Sequence, residues 1–508
     1  MDKLVGKIDW PVFVLSGGAL VLFVLASFIN VEAVGDIVNL LFGWSVDYFG
    51  AFWQVLLLLM LGVSIVLAFS KYGNVRLGEQ SEKELSTFRW VSVICISLLG
   101  AGGVFWAAAE PMYYFMEVPP VHDGIEPGSP QAVIPAMAQA YVSWGMAAWL
   151  ALGTTGAIVL MYAVYHKGMP MKPRSMLYPF FGEKLPRTNL GTVIDAFCII
   201  AVAAGTIGPI GILGLQVSYG LNALFGLPDI FGIQLVIIGF LLLIVTISAI
   251  TGVHKGIQWL SKWNIILVFI LAGIILIFGP GAFIIDTFVS SFGYHLNHFI
   301  TLHTYRGDND WLGAWMLFFF AWFIGFAPMM IMLIARISRG RTIREIILAV
   351  AVISPLITNF WFTVVGGSGI YYEQQQPGII SQPLGEGGLP AAIIAVAGQM
   401  PFSVVMPFIF LVLAILFVIT TADSMTYSIS MSMTGEGNPP KPMRVFWAAI
   451  MATVAAILIF IGEGSIDALQ SFIVVTAVPV SILLLPTIWQ APKIAKRLAR
   501  DQGLIRKP

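Results

Sequence analysis

The chain has 508 residues, of which 58% are hydrophobic and only 10% are charged. A water-soluble surface needs about 25% charged residues, so a soluble enzyme or a nucleic-acid-binding protein is excluded. The 26 Lys and Arg residues balance 26 Asp and Glu residues, and that zero net charge hides a strong sidedness along the chain.

Twelve apolar segments are predicted as helices, near residues 11–30, 49–69, 90–109, 133–164, 192–216, 231–252, 263–281, 312–335, 346–366, 402–430, 445–462 and 468–488. Each is long enough to cross roughly 30 Å of hydrocarbon at about 1.5 Å per residue. Basic residues fall before the first segment (Lys3, Lys7) and after the second, fourth, sixth, eighth, tenth and twelfth, ending in a tail from Lys493 to Lys507. The other connections carry acids such as Glu32, Asp36, Asp229 and Glu463, with Arg306 as their one basic residue. Lys and Arg resist translocation, so both termini are expected on the cytoplasmic side of an inner membrane. The basic loops then lie against anionic lipids. Cys95 and Cys198 fall within spans and read as small packing residues. No cleavage signal precedes Pro11, so the first span is expected to be retained.

Three spans contain unusual interruptions. Residues 97–111, SLLGAGGVFWAAAEP, place Gly100, Gly102 and Gly103 in mid-span, where each weakens a helix by about 1 kcal/mol relative to Ala. A break there either exposes carbonyls to a cation or substrate inside a protein-lined cavity, or lets helices approach closely. Residues 206–214, TIGPIGILG, predict a bend at Pro209. Residues 417–424, FVITTADS, set Thr420 and Thr421 beside Asp423. An ionisable group at that depth faces the bundle interior or is paired. Ion binding, structural hydrogen bonding and a proton relay all remain open for it.

Aromatic residues occupy equally unusual places. Trp144 and Trp149, in SWGMAAWLAL, lie in mid-span rather than at an interface, and AWFIGFAP adds Trp322, Phe323 and Phe326. If the two helices face each other, these rings form a cage for a quaternary ammonium group; bulky core packing is the alternative. No carboxylate lies close to them in sequence, which favours a zwitterion over a bare cation. Glu110, in Glu110-Pro111, reads as the end of a span.

The run ARISRGRTIRE, residues 335–345, closely resembles the signature of the betaine/carnitine/choline transporter family, and WGMAAW, GVFWAAAEP and TTADS resemble three further family motifs in the expected order. The resemblance covers about residues 90–490. It implies an all-α polytopic membrane protein with 12 transmembrane helices, in which two inverted five-helix repeats of LeuT-like form follow two extra helices. The expected divisions are 1–87 for the N-terminal segment and extra helices, 88–281 and 312–490 for the repeats, 282–311 for an extracytoplasmic connection able to form an amphipathic helix, and 491–508 for a short basic tail.

By the same resemblance, Trp144 and Trp149 match two cage positions, and Leu152 stands where a tyrosine is common. Trp322 and Phe323 match a tryptophan pair, and Phe326 matches a further tryptophan. Phe417, Thr420 and Thr421 match oxygen donors of a sodium site, completed by the backbone carbonyl at Leu99. Thr206 falls at a second family sodium site, where Met329 replaces an aromatic contact. Asp423, Arg336 and Arg339 are candidates for gating or proton relay. The resemblance therefore implies a carrier, not an enzyme, importing a zwitterionic or cationic trimethylammonium solute, foremost glycine betaine, with Na⁺ and no other cofactor. Sodium-independent carnitine/betaine exchange and proton-coupled choline or betaine transport are the alternatives. The family commonly forms homotrimers and serves osmoprotection.

Overall fold

The computed structural model describes residues 8–79, 82–251, 254–434 and 439–506, so Lys3, Lys7 and Lys507 of the charge pattern lie outside the described residues. Among the described residues, regular structure is helical apart from one antiparallel bridge between Arg76 and Thr342. Ten helical stretches are long and apolar enough to cross a membrane, and an eleventh is counted if the bent pair within residues 262–297 forms one span. The chain is thus an all-α, multi-pass membrane protein.

In chain order, α1 (Trp10–Ile29) and α2 (Val31–Phe69) lead into α3 (Thr87–Gly102) and α4 (Phe105–Met116). The segment at 90–109, expected as one span, is these two helices, because the glycines at 102 and 103 interrupt it. A second interrupted span comprises α5 (Val133–Trp144), α6 (Met146–Leu150) and α7 (Thr155–Lys167). Gly145 makes that break: a Cβ there would lie 2.0 Å from the Tyr141 carbonyl oxygen, so no side chain fits. The long α8 (Asn189–Phe225) continues through Pro209, followed by α9 (Phe231–Thr251), α10 (His254–Phe278), α11 (Gly281–Asn297) and the short α12 (Phe299–Thr304). Helix α11 turns through 108° from α10. Its one histidine, His295, packs as an aromatic group against His303 of α12, 5.5 Å away. Burial pushes the His303 imidazole down to about 3, so it is neutral.

The second half holds α13 (Met316–Ile337), then a span running from α14 (Ile343–Leu348) through α15 (Ser354–Phe362) to α16 (Ser368–Gln375), with π turns at residues 349–353 and 363–367. Helices α17 (Met406–Thr434), α18 (Lys441–Ile461), α19 (Asp467–Leu484) and α20 (Thr487–Asp501) complete it. In the α5–α7 span 94% of the most apolar stretch is buried, and 89% in α8 and α13, against 33% in α1 and α9. The first three therefore form the centre, and α1 and α9 present their apolar faces outward, as lipid-facing helices do.

The signature run 335–345 folds into a clasp between α13 and α14. Arg341 donates to the Leu85 carbonyl at 2.7 Å and covers the Trp90 ring at 4.4 Å. Arg344 donates to the carbonyls of Ala68 and Ser70 at 2.7 and 3.1 Å. These carbonyls lie at the end of α2, where a cation also meets the negative pole of the helix; that of Ser70 accepts from the Gly73 N–H as well. The specificity of this motif thus has a structural origin: two of its arginines bind the start of α3 to the end of α2.

Candidate functional site

The aromatic residues singled out in the sequence converge at the centre of the bundle. Trp144 ends α5 at the Gly145 break, and its ring lies 5.9 Å from Trp322 and 5.6 Å from Phe323 on α13. Trp149, on α6 beyond the break, lies 6.2 Å from Phe323. All four rings are buried. Phe326 is one turn further along α13, against Gly205 of α8, where a Cβ would come within 2.9 Å of its ring. Leu152 is buried in the turn after α6 and adds no ring face.

The glycines serve these indoles. Trp322 Nε1 donates to the Gly205 carbonyl at 3.1 Å, and a Cβ at Gly102 would stand 2.7 Å from Trp322 and 2.8 Å from Trp106. The break between α3 and α4 also frees the Gly103 carbonyl, which accepts from Trp361 Nε1 at 2.9 Å. Of the two readings of this glycine run in the sequence, close approach is realised at Gly102, and the carbonyl freed at Gly103 is occupied by an indole N–H.

Two aromatic residues of the cluster escaped the sequence reading. Phe319 lies 5.5 Å and Phe362 4.9 Å from the Trp144 ring. Phe319 was readable, since 319, 322, 323 and 326 share one face at helical spacing. Phe362 was not, because the π turn that follows it sets its direction. There Thr363 shares a hydrogen bond with Tyr141, one turn before Trp144. Glu110, read in the sequence as the end of a span, instead lies inside α4 and belongs to the cluster as well. It is fully buried on α4 and its Oε2 accepts from Trp144 Nε1 at 2.8 Å. No Lys or Arg pairs with it among the described residues. A carboxylate therefore does accompany the aromatic site, and its separation in sequence is no guide to substrate charge.

This hydrogen bond makes a testable prediction. Glu110→Ala leaves a buried indole N–H without an acceptor, a penalty of about 1–3 kcal/mol, and is expected to weaken substrate affinity roughly tenfold. Glu110→Gln retains a carbonyl acceptor and is expected to stay within about threefold of the parent. Equal losses in both variants, measured as KM for uptake, would contradict a positioning role for the hydrogen bond.

The TTADS segment lies on α17. Thr420 Oγ1 donates to the Phe417 carbonyl at 2.9 Å and receives a 3.4 Å contact from Asn264 Nδ2 on α10. Thr421 is buried beside it. Phe417 borders a small cavity, about 20 Å³, together with Gly102, Val104, Pro209 and Gln216. The three interrupted segments of the sequence thus meet at one place. Leu99 lies on α3, its side chain outside the described residues. Asp423 Oδ1 accepts from Arg444 at 3.0 Å, both side chains buried. Thr206 Oγ1 donates to Val202 within α8, and Met329 is on α13, packed against α8. Arg336 is exposed at the end of α13, while Arg339 lies 3.7 Å from Glu84 and covers the Tyr165 ring at 4.7 Å.

Residues 11–500 match the family described as BCCT, betaine/carnitine/choline family transporter. The chain belongs to that family. It is a transporter, not an enzyme. Among similar proteins, Glycine betaine transporter 2 of Vibrio parahaemolyticus is 50% identical over 97% of this chain and 92% of its own. A glycine betaine/proline/choline/ectoine transporter of the same organism is 32% identical over 94% and 85%. The glycine betaine transporter OpuD of Bacillus subtilis is 30% identical over 100% and 97%. The buried rings of this transporter stand in the motifs that first suggested the family, so its central cluster is the natural candidate for substrate recognition.

Proposed function

We propose that this transporter imports glycine betaine, or a closely related trimethylammonium solute, with Na⁺ by alternating access. The observation that carries the reading is the mid-bundle meeting of Trp144, Trp149, Trp322 and Phe323. Ring faces attract a methylated ammonium without demanding hydrogen bonds it cannot make, and the attraction is strongest where water is excluded. The names of the three relatives support the substrate.

The division into two leading helices and two inverted five-helix repeats, 88–281 and 312–490, accounts for the recurrence of interrupted helices in the first half and π turns in the second. Discontinuous helices at mid-depth are where such carriers bind. In this reading the basic end, with both termini, faces the cytoplasm of an inner-membrane protein, and the 282–311 connection with α11 lies outside. The charge pattern carries this orientation.

For Na⁺, the Phe417 carbonyl and the hydroxyls of Thr420 and Thr421 supply hard oxygen donors. Asn264 Oδ1, buried and without a hydrogen bond among the described residues, adds a further oxygen beside Thr420, and Leu99 contributes its carbonyl. Arg444 does not replace the ion, since its guanidinium is engaged by Asp423. Thr206 and Met329 offer one hydroxyl between them, a weaker basis for a second ion. Thr421→Ala is expected to raise the Na⁺ concentration for half-maximal uptake about tenfold while leaving maximal uptake within a factor of two. An unchanged Na⁺ response would remove Thr421 from the site.

Uptake into proteoliposomes tests the whole reading. Glycine betaine accumulates above the external concentration when Na⁺ is higher outside, and does not when Na⁺ is equal on both sides. Equal accumulation in the two conditions would defeat Na⁺ coupling. One observation favours a second reading, proton coupling: Glu110 is a buried carboxyl beside the cage without a basic partner among the described residues. In that case a pH gradient drives accumulation, and Glu110→Gln abolishes it.

A further inference from the structure

One turn beyond the cage, the wall of α13 changes character. Met329 and Met332 follow Phe326, and Arg336 and Arg339 follow them, lining a cavity of about 460 Å³ at the basic end of the bundle with Tyr165 of α7 and Tyr427 of α17. Cavities of this size hold small organic ligands. The two guanidinium groups differ. Arg339 lies over Tyr165 and near Glu84, whereas Arg336 is exposed and makes no hydrogen bond or ion pair among the described residues.

A solute leaving the cage toward the basic end meets methyl-bearing thioethers first and a free guanidinium next. A trimethylammonium group packs well on polarisable sulfur, whereas the rings of Tyr165 and Tyr427 are already covered by Arg339 and Arg444. A carboxylate is matched by the planar, forked donors of arginine. One molecule satisfies both only if it carries a carboxylate a few bonds from its methylated nitrogen. Choline has the head without the carboxylate, and its charge is repelled by Arg336, while Glu84, which also lines the cavity, offsets only Arg339.

From this arrangement, and resting on the function proposed above, the geometry points to a second, weaker binding station in the vestibule, selective for carboxylate-bearing trimethylammonium solutes, with Arg336 holding the carboxylate and the thioethers of Met329 and Met332 receiving the methylated head. Its consequence is a selectivity step after the cage: zwitterions are handed on, and choline is not.

Equilibrium binding of radiolabelled glycine betaine to the purified full-length protein, with unlabelled choline as competitor, tests it. The expected result is two classes of site, of which choline displaces only the tighter. Arg336→Gln weakens the second class about tenfold or more and leaves the first unchanged, while Trp144→Ala with Trp149→Ala removes the first and leaves the second. A single class in the parent protein, or a weak class displaced by choline, overturns the proposal without requiring any variant to fold. A weak class unchanged in Arg336→Gln overturns it as well. Loss of neither class in the double tryptophan variant would instead count against the central cage, so the two readings fail separately.

Discussion

Trp144→Ala is expected to reduce glycine betaine affinity by 30-fold or more. A desolvated cation–π contact contributes about 2 kcal/mol, which alone is a factor of roughly 30, and the substitution removes more than one contact. The Trp144 ring faces Phe319, Trp322, Phe323 and Phe362, and its N–H holds Glu110. Losing it therefore loosens the rings that remain. Trp144→Phe separates the two roles, since it keeps a ring face and gives up the hydrogen bond. Its affinity is expected to fall between those of the parent and the alanine variant. The measurement is equilibrium binding on protein whose membrane insertion and thermal unfolding are checked in parallel. Unchanged affinity in Trp144→Ala would show that the solute binds elsewhere.

The second large effect is expected at Asp423, on stability. Its side chain and that of Arg444 are both buried and 3.0 Å apart. Removing one member of such a pair leaves an uncompensated charge in a medium of low polarity, at a cost of about 3–5 kcal/mol. Asp423→Ala is therefore expected to lower the unfolding temperature and the yield of folded protein sharply. Asp423→Ala combined with Arg444→Met removes both charges and is expected to recover most of the loss. A proton relay at Asp423 predicts a different pattern, with folding intact in Asp423→Asn and proton-driven uptake abolished. Thermal unfolding of the single and double variants, read beside uptake under a pH gradient, distinguishes the two roles.

Hydropathy and charge made the membrane character legible because lipid imposes long apolar helices and because the basic residues alternate so regularly. The interruption at residues 102–103 was legible too, since glycine in mid-span is conspicuous, whereas the break at Gly145, within the segment 133–164 read as one span, was not; Gly102 and Gly145 are both steric necessities in the folded chain. The segment at 90–109, counted as one span with a local break, is two helices because Gly102 and Gly103 end the first of them. Among the rings, Trp144, Trp149, Trp322 and Phe323 declared themselves by type and depth, and Phe319 by helical spacing. Phe362 and Glu110 belong to helices far along the chain from α13 and α5, and only the packing of α4 and the π turn against α5 brings them there. The argument from sequence that no carboxylate accompanies the cage failed for this reason: distance along the chain is not distance across a bundle. Asp423 was recognised as a buried group needing a partner, but nothing short of the α17–α18 packing identifies that partner as Arg444.

The most direct test of the central claim is a structure of the transporter with glycine betaine bound. The account predicts the trimethylammonium group within about 6 Å of the ring centroids of Trp144, Trp149, Trp322 or Phe323, buried at the middle of the bundle. A solute occupying its high-affinity site away from all four rings would contradict it.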